Sequence, residues 1–238
     1  MNTIIFFFPT RNFFSWPCTS FCNPWVAWVI ESPYARTTPL GRPSEEAVGD
    51  RGRSRMNCQI RQAVEADTQA ISDVAVAAFG DVQGQERADL VTGLLKDSSA
   101  RPSLSLVAIS SDQVIGHILF TGVRVKHSRR MVFSSLLAPL SVHPDYQSQT
   151  IGGQLIKEGL QQLTILGVEL VFVPGHPGCY PQYGFSAAGI KGFEAPYPIP
   201  PENAGAWMVQ ELQRGVVGHV RGQVICPDAL NDPKHWRE

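Results

Sequence analysis

The residues with the clearest chemical potential form a polar segment, Gln147 to Gly153, between an apolar stretch and an amphipathic one. Leu136 to Val142 is apolar and suits a buried strand, and Pro144 ends its pairing. From Ile151 onward, apolar side chains recur at helical spacing. The first N–H groups of a helix have no acceptor within the helix and carry partial positive charge. The segment therefore predicts a site for a phosphate or pyrophosphate group.

A second group of reactive residues follows another apolar stretch, Val168 to Pro174. The segment Gly175 to Phe185 reads GHPGCYPQYGF and brings a histidine, a cysteine and two tyrosines to a strand end. The phenol of Tyr180 is protonated at neutral pH and is able to donate a proton. The same ring is also suited to serve as an aromatic plug beneath the loop, and both interpretations stay open.

The two segments together resemble the GNAT superfamily of acyl-CoA-dependent N-acyltransferases, and most closely its YhbS-like predicted acetyltransferases. The family's loop signature is Arg/Gln-x-x-Gly-x-Gly/Ala after a strand that ends in Val-x-Pro. This chain matches it at Gln147, at Gly152 and at the Val142 to Pro144 strand end. The family's Tyr-x-x-x-Gly-Phe motif is matched by Tyr180 and by the Gly184–Phe185 pair.

The resemblance implies an α/β fold with a GNAT-type mixed, mostly antiparallel central sheet flanked by helices, and acetyl-CoA as the acyl donor. It also implies that backbone N–H groups of the Gln147 to Gly153 loop hold the pyrophosphate. The strand edge at Leu140 to Val142 would pair with the amide arm of pantetheine, and the Gln147 side chain would add a donor. The cofactor-binding residues expected on this basis are Leu140, Ser141, Val142, Gln147, Ser148, Gln149, Thr150, Ile151, Gly152 and Gly153.

Acyl transfer from a thioester to an amine needs an acid for the departing thiolate and a neutral amine. Tyr180 is the expected general acid. Its phenol, with a pKa near 10, is protonated at neutral pH and can donate to a thiolate whose thiol has a pKa near 8.5. His176, at the strand end, is the expected proton relay, although a histidine before a proline is as often a turn residue satisfied by the backbone. The strand from Phe133 to Val142 holds no carboxylate, so a base must come from elsewhere or from water.

Two positions depart from the family pattern. Thr150 occupies the first signature glycine, and Ser148 stands where many members carry glycine. Glycine lets a phosphate approach the backbone and permits positive φ, which a β-branched residue resists at a cost of about 1–3 kcal/mol. If Thr150 keeps ordinary dihedral angles the cost is small, and its hydroxyl is placed to cap an N–H group or to contact a phosphate oxygen.

The chain from Cys58 is predicted to fold as strand, helix, helix, three strands, helix and strand. Successive strands without a crossover helix favour antiparallel pairing, whereas the strand after the third helix favours a parallel neighbour joined by a right-handed crossover. The predicted helices are 66–79, 85–96 and 151–166, and the predicted strands are 58–62, 104–110, 114–125, 131–142 and 168–174.

Composition limits the possible functions. The balance of 20 basic and 21 acidic residues argues against a nucleic-acid partner. No apolar run reaches the roughly 18 residues of a membrane span, so no membrane partner is expected. The five cysteines are scattered without the paired spacing of a zinc site, so no metal is expected. Reduced thiols favour a cytoplasmic location.

Residues 1–55 differ from the rest, since they hold six of the 18 prolines and three of the five tryptophans without a helix or strand period. We expect this N-terminal extension to be disordered or not part of the functional protein, which would begin near Met56. An organellar transit segment is an alternative that Glu45, Glu46 and Asp50 weaken. The GNAT domain is expected at 56–230 and a C-terminal tail at 231–238.

The sequence therefore predicts an N-acetyltransferase in which acetyl-CoA donates directly to an amine, without a covalent enzyme intermediate. The acceptor, a small-molecule or protein amine, is not readable from the sequence, and a monomer and a homodimer are both compatible with it. A catalytically impaired acyl-CoA-binding module of the same fold is the alternative, favoured by Thr150 and by the missing strand carboxylate. A nucleotide enzyme is disfavoured, because Gly-Lys-Ser/Thr and Gly-x-Gly-x-x-Gly are absent.

Overall fold

Nine strands of the described residues form one mixed sheet. The structure is a computed structural model that describes residues 58–126, 128 and 130–236, so the extension expected at 1–55 lies outside it. Strands follow one another in the order β1-β2-β3-β4-β5-β8-β6, and β9 pairs with β3 and β7. The strands are β1 Gln59–Gln62, β2 Leu104–Ser110, β3 Gln113–Val125, β4 Ser134–Val142, β5 Leu170–Pro174, β6 Ser186–Ala187, β7 Phe193–Glu194, β8 Trp207–Glu211 and β9 Gly222–Ile225.

Among the described strands, only two pairs are parallel, β4 with β5 and β7 with β9. The other pairs are antiparallel, as expected for strands joined by short turns. The parallel neighbour of β4 follows a crossover helix, α2, which spans Ile151–Ile165. The mixed, mostly antiparallel sheet flanked by helices that the sequence predicts is thus confirmed.

The first helix, α1, spans Thr68–Lys96 and is kinked rather than continuous. Its backbone leaves helical values at Gly80, where φ is 75° and ψ is 175°. Glycine adopts this φ without a steric penalty, which explains why the break falls there. The two helices predicted at 66–79 and 85–96 are therefore the two halves of this element.

The two helices cover opposite faces of the sheet. Ile151 and Leu155 of α2 lie in one buried cluster with Phe120 and Leu140. Leu94 of α1 lies in a second buried cluster, with residues such as Leu119. Helix α2 approaches the sheet closely because Gly159 leaves room for the Phe120 ring directly below it. The start of α2 is thereby fixed beside the C-terminal end of β4.

The C-terminal residues belong to the packed structure. Trp236 is 6% exposed, its indole N–H donates to the Leu230 carbonyl at 2.9 Å, and its ring meets Trp207 edge-on at 6.0 Å. His235 beside it is also buried. The packed structure therefore continues through residue 236, within the segment expected as a C-terminal tail.

One histidine is enclosed in the middle of the sheet. His117 of β3 is fully buried, and its Nε2 lies 2.9 Å from the Ser105 hydroxyl. Burial lowers the pKa of His117 to about 3, and the nearby Asp67 carboxylate offsets this only in part. The imidazole is therefore neutral in the folded protein at physiological pH.

We predict that, because of His117, the free energy of unfolding decreases as the pH is lowered below about 6.5, which is the pKa of an exposed histidine. The folded pKa is about 3, so in that window the unfolded chain binds the extra proton and is favoured as pH falls. The expected loss is roughly 1.4 kcal/mol per pH unit at most. Urea unfolding at several pH values between about 7 and 4.5 gives the free energy of unfolding. This free energy should depend less steeply on pH in His117→Gln than in wild type. The exposed His219→Gln is the control, and equal slopes for wild type and His117→Gln would contradict the prediction.

Candidate active site

The parallel strands β4 and β5 pair over a short stretch and then separate. Ser134–Leu136 pair with Leu170–Phe172, and β5 continues alongside β8 on its other side. Among the described strands, none pairs with the edge of β4 that faces β5 from Leu137 to Val142. Because both strands run in the same direction, this gap opens where their C-terminal ends meet.

The ladder between β3 and β4 determines which backbone groups face the gap. His143 donates its N–H to β3 at 2.9 Å, and Ser141 lies opposite His117 in the same ladder. Hydrogen-bonding direction alternates along a strand, so Leu140 and Val142 direct their N–H and C=O groups away from β3, toward the gap. Of the three strand residues expected to bind cofactor, Ser141 has its backbone engaged in the sheet and its side chain buried.

The Gln147 side chain bonds to the end of β4. Its Nε2 donates to the Val142 carbonyl at 3.0 Å and so caps the last acceptor on the open edge of β4. This bond uses one of the two N–H donors of the amide. Of the gap-facing groups of Leu140 and Val142, the Leu140 N–H and C=O and the Val142 N–H are left for a ligand.

The loop before α2 contains two non-glycine residues with left-handed backbone. Ser148 has φ 61°, and Thr150 has φ 68° and ψ 0°. Thr150 occupies the first glycine of the family signature and Ser148 a position where many members carry glycine, and glycine adopts such φ values without strain. Thr150 does not keep ordinary dihedral angles, and each such residue costs roughly 1–3 kcal/mol unless the surroundings compensate.

This backbone conformation creates a site for an anion. Gln154 N–H donates to the Thr150 carbonyl at 3.0 Å as the first bond of α2. The N–H groups of Ile151, Gly152 and Gly153 therefore have no acceptor within the helix. A left-handed residue followed by a helical one also turns successive N–H groups toward a common point, which makes an anion-binding concavity.

The second sequence motif contacts the start of α2. The hydroxyl of Tyr183 lies directly against Gly153, so a side chain at that position would have to displace it. Gly152 faces the strand instead, and a Cβ there would meet the Leu140 and Val142 side chains at 3.7 and 3.8 Å. The two motifs, thirty residues apart in the chain, thus meet beside the open edge of β4.

Tyr180, the expected general acid, is buried at the base of this region. It is 1% exposed, lies edge-on to Phe185 with ring centroids 5.7 Å apart, and packs its ring against Gly175. It shares a buried cluster with Leu140 and Val142. The structure therefore fits the packing role of this ring, and it also places the residue in the cluster that borders the gap.

His176, the expected relay, is exposed and belongs to a turn. Its Nδ1 accepts the Gly178 N–H at 3.0 Å, so the neutral ring carries its proton on Nε2. A neutral His176 is thus a donor at its remaining nitrogen rather than an acceptor. Gln149, another loop residue, turns its side chain back to the Asp145 carbonyl at 3.0 Å.

The sequence did not reveal a hydrogen-bond chain behind Thr150. Gln154 Nε2 donates to Thr150 Oγ1 at 3.1 Å, and the Cys58 thiol donates to Gln154 Oε1 at 3.5 Å. The spacing of four residues between Thr150 and Gln154 on a helix was a usable signal. Nothing local links Cys58 to the loop, because 96 residues separate it from Gln154.

The described residues contain neither a cluster of metal-ligating side chains nor a membrane-spanning helix. Within residues 58–126, 128 and 130–236, no group of three or more histidines, cysteines or acidic residues is arranged to hold a metal ion. No helix in the same part of the chain is long and apolar enough to cross a membrane.

A mixed sheet that opens beside an anion-binding helix start is the architecture of a CoA-dependent acetyltransferase. Residues 59–188 match the Acetyltransferase (GNAT) domain, and the chain belongs to this family. The resemblance inferred from the two motifs is therefore confirmed.

Among curated proteins, the chain is 44% identical over 160 residues to the uncharacterized N-acetyltransferase YjhQ of Escherichia coli K12, covering 66% of this chain and 87% of that one. It is 29% identical to the uncharacterized N-acetyltransferase YhbS of the same strain, covering 72% and 98%. Among solved structures, E. coli YhbS in complex with CoA superposes with a TM-score of 0.66 at 26% identity, covering 80% and 97%. A Brucella melitensis GNAT acetyltransferase in complex with acetyl-CoA gives 0.58 at 28% identity, covering 73% and 98%.

We predict that Gly175→Ala destabilises the protein by about 1–3 kcal/mol, because the added carbon overlaps the buried ring of Tyr180. The matched control is Gly205→Ala in the neighbouring loop, where a Cβ would lie at an ordinary 3.7 Å from Pro177. Chemical denaturation of both variants measures the difference. Equal stability of Gly175→Ala and wild type would show that Tyr180 is not held by this contact.

Proposed function

We propose that this chain transfers an acetyl group from acetyl-CoA to an amine, with the acetyl donor bound in the gap between β4 and β5. The observation that carries the proposal is the coincidence of an open strand edge with an anion-binding helix start at the same end of the sheet. One binds an extended amide chain and the other binds a diphosphate, and CoA contains both. The relatives crystallised with CoA and acetyl-CoA support the same donor.

In this proposal, the backbone provides most of the donor site. The N–H groups between Ser148 and Gly153 hold the pyrophosphate at the start of α2. The gap-facing groups of Leu140 and Val142 pair with the amides of the pantetheine arm as an added strand would. Gln147 keeps the Val142 carbonyl occupied, which limits where along the edge the arm can pair.

The transfer itself requires two proton movements. The amine nitrogen forms a bond to the acetyl carbonyl carbon, the carbon–sulfur bond breaks, the nitrogen loses one proton and the sulfur leaves as a thiolate. We assign the proton for the thiolate to Tyr180, since its side chain shares a buried cluster with Leu140 and Val142 and a phenol is protonated at neutral pH. Because β4 carries no carboxylate, the proton from the amine passes to water in this scheme, and His176 contributes at most a donor from Nε2.

The acceptor is proposed only as a class, a primary amine on a small molecule or a protein. The enzyme is proposed to act as a monomer or a homodimer. A cytoplasmic location is proposed with it, because the thiols of Cys58 and Cys226 are free. Free thiols persist in reducing compartments.

The donor site is tested by calorimetric titration of acetyl-CoA into the full chain. We predict saturable binding that Gly152→Val weakens by about tenfold or more, because branched carbons there crowd Leu140 and Val142 beside the helix start. Gly152→Ala is the matched control, since its single carbon fits at ordinary contact distance. Unchanged affinity in Gly152→Val would count against the loop assignment, and a wild-type chain that fails to bind would remove the proposed function.

The acid is tested by Tyr180→Phe, which keeps the ring and removes the hydroxyl. We predict a turnover lower by about 100-fold, measured as CoA thiol release with a panel of amines, and an unchanged affinity for acetyl-CoA. Tyr197→Phe is the control, since its hydroxyl donates to Asn231 rather than lying in this motif, and it should keep its turnover. Equal turnover in both variants would reduce Tyr180 to a packing residue.

The same assay separates catalysis from a binding-only protein. The near-complete burial of Tyr180 is the observation that favours the binding module, since a buried phenol must gain access to the sulfur before it can act. Acetyl-CoA binding without thiol release for any amine, in wild type and variants alike, would support that second function.

A further inference from the structure

A three-residue hydrogen-bond chain ends at the start of α2. The Cys58 thiol donates to Gln154 Oε1 at 3.5 Å, and Gln154 Nε2 donates to Thr150 Oγ1 at 3.1 Å. Thr150 itself is exposed and makes no side-chain hydrogen bond to cap the helix. This hydrogen-bond chain therefore connects Cys58, the residue before β1, to a hydroxyl at the start of α2.

In this hydrogen-bond chain, the chemistry of each group determines which atom donates and which accepts. Burial raises the pKa of the Cys58 thiol, so at neutral pH it keeps its proton and donates to the amide oxygen of Gln154. The amide NH₂ of Gln154 then faces Thr150, and the hydroxyl oxygen accepts from it. A hydroxyl whose oxygen already accepts from the protein keeps its own proton available for a second acceptor, and Thr150 directly precedes Ile151, the first residue of α2.

We propose that the Thr150 hydroxyl donates a hydrogen bond to a phosphate oxygen of the acyl donor, and that Gln154 and Cys58 are positioning residues that orient it. The proposal rests on the proposed function, in which the diphosphate of acetyl-CoA binds at the start of α2. It gives the non-glycine residue at this position a direct role in binding. A hydrogen bond to a charged oxygen is stronger than one between neutral groups, and it offsets the strain of the left-handed backbone.

Residue 150 determines both the backbone strain of the loop and the presence of a hydroxyl group, and different substitutions change these two properties separately. Glycine relieves the backbone strain but offers no hydroxyl, whereas valine keeps the branched shape and the strain but also offers none. Serine keeps the hydroxyl. Affinity for acetyl-CoA should therefore follow the hydroxyl, and thermal stability should follow the strain.

The experiment measures acetyl-CoA affinity by calorimetry and the midpoint of thermal unfolding for the full chain. We expect Thr150→Val to bind about tenfold more weakly and Thr150→Ser to remain within about twofold of wild type. Thr150→Gly should also bind about tenfold more weakly although its unfolding midpoint rises. A Thr150→Val variant that binds like wild type, or a Thr150→Gly variant that binds more tightly, overturns the proposal.

The positioning role has its own readout. Gln154→Leu should weaken binding by about threefold to fivefold, and Cys58→Ala less than that, with Cys58→Ser restoring the donor and the affinity. The exposed Gln161→Leu on the same helix is the control and should change nothing. If wild type binds acetyl-CoA and Gln154→Leu binds equally well, the positioning role is overturned while the proposed function stands. If wild type itself does not bind, both are overturned.

Discussion

The Glu169 carboxylate ties the beginnings of β4 and β5 together, and the open site depends on that tie. It accepts hydrogen bonds from the two terminal nitrogens of the Arg130 guanidinium at 2.7 and 3.0 Å and from the Phe133 N–H at 3.0 Å. The hydrogen bond with Arg130 lowers the pKa of Glu169. The Glu169 N–H in turn donates to the Phe133 carbonyl at 2.7 Å. Parallel pairing begins at this anchor and stops three residues later. Because one end is fixed, the strands can separate at the other without losing their register, and the separation exposes the edge of β4.

The anion site is a feature of backbone conformation more than of residue type. Ser148 and Thr150 both adopt left-handed values that glycine would adopt at no cost. Strain of this kind persists where the surrounding structure determines it and where function uses it. Helix α2 is held by Tyr183 beside Gly153 in its first turn and by Phe120 below Gly159 further along, so the loop that joins it to β4 has little freedom. These contacts hold the left-handed backbone at Ser148 and Thr150 in place.

Local sequence patterns predicted the elements whose signals are local. Strand β2 has the predicted bounds and α2 differs by one residue at its end, because alternation, helical periodicity and turn residues lie within each segment. Strand β4 begins at Ser134 rather than at residue 131, since Met131 and Phe133 are 79% and 57% exposed. The two-residue strands β6 and β7 were not predicted, because pairing with distant strands alone defines them. Tertiary contacts also decided the positions of side chains that the motifs could only name, as for Gln147, whose amide turns to the Val142 carbonyl.

The two halves of the candidate site should therefore tolerate sequence change differently. In the proposed function, most phosphate and pantetheine contacts come from backbone N–H and C=O groups, which nearly every residue possesses, and the Thr150 hydroxyl adds one side-chain contact. The position of Tyr180 depends on side-chain packing, on the space above Gly175 and on the edge of Phe185. A change of one carbon there moves the only phenol that the resemblance assigns to proton transfer. Residue changes in this chain are consequently more informative about turnover when they fall in the Gly175 to Phe185 segment than when they fall in the phosphate loop.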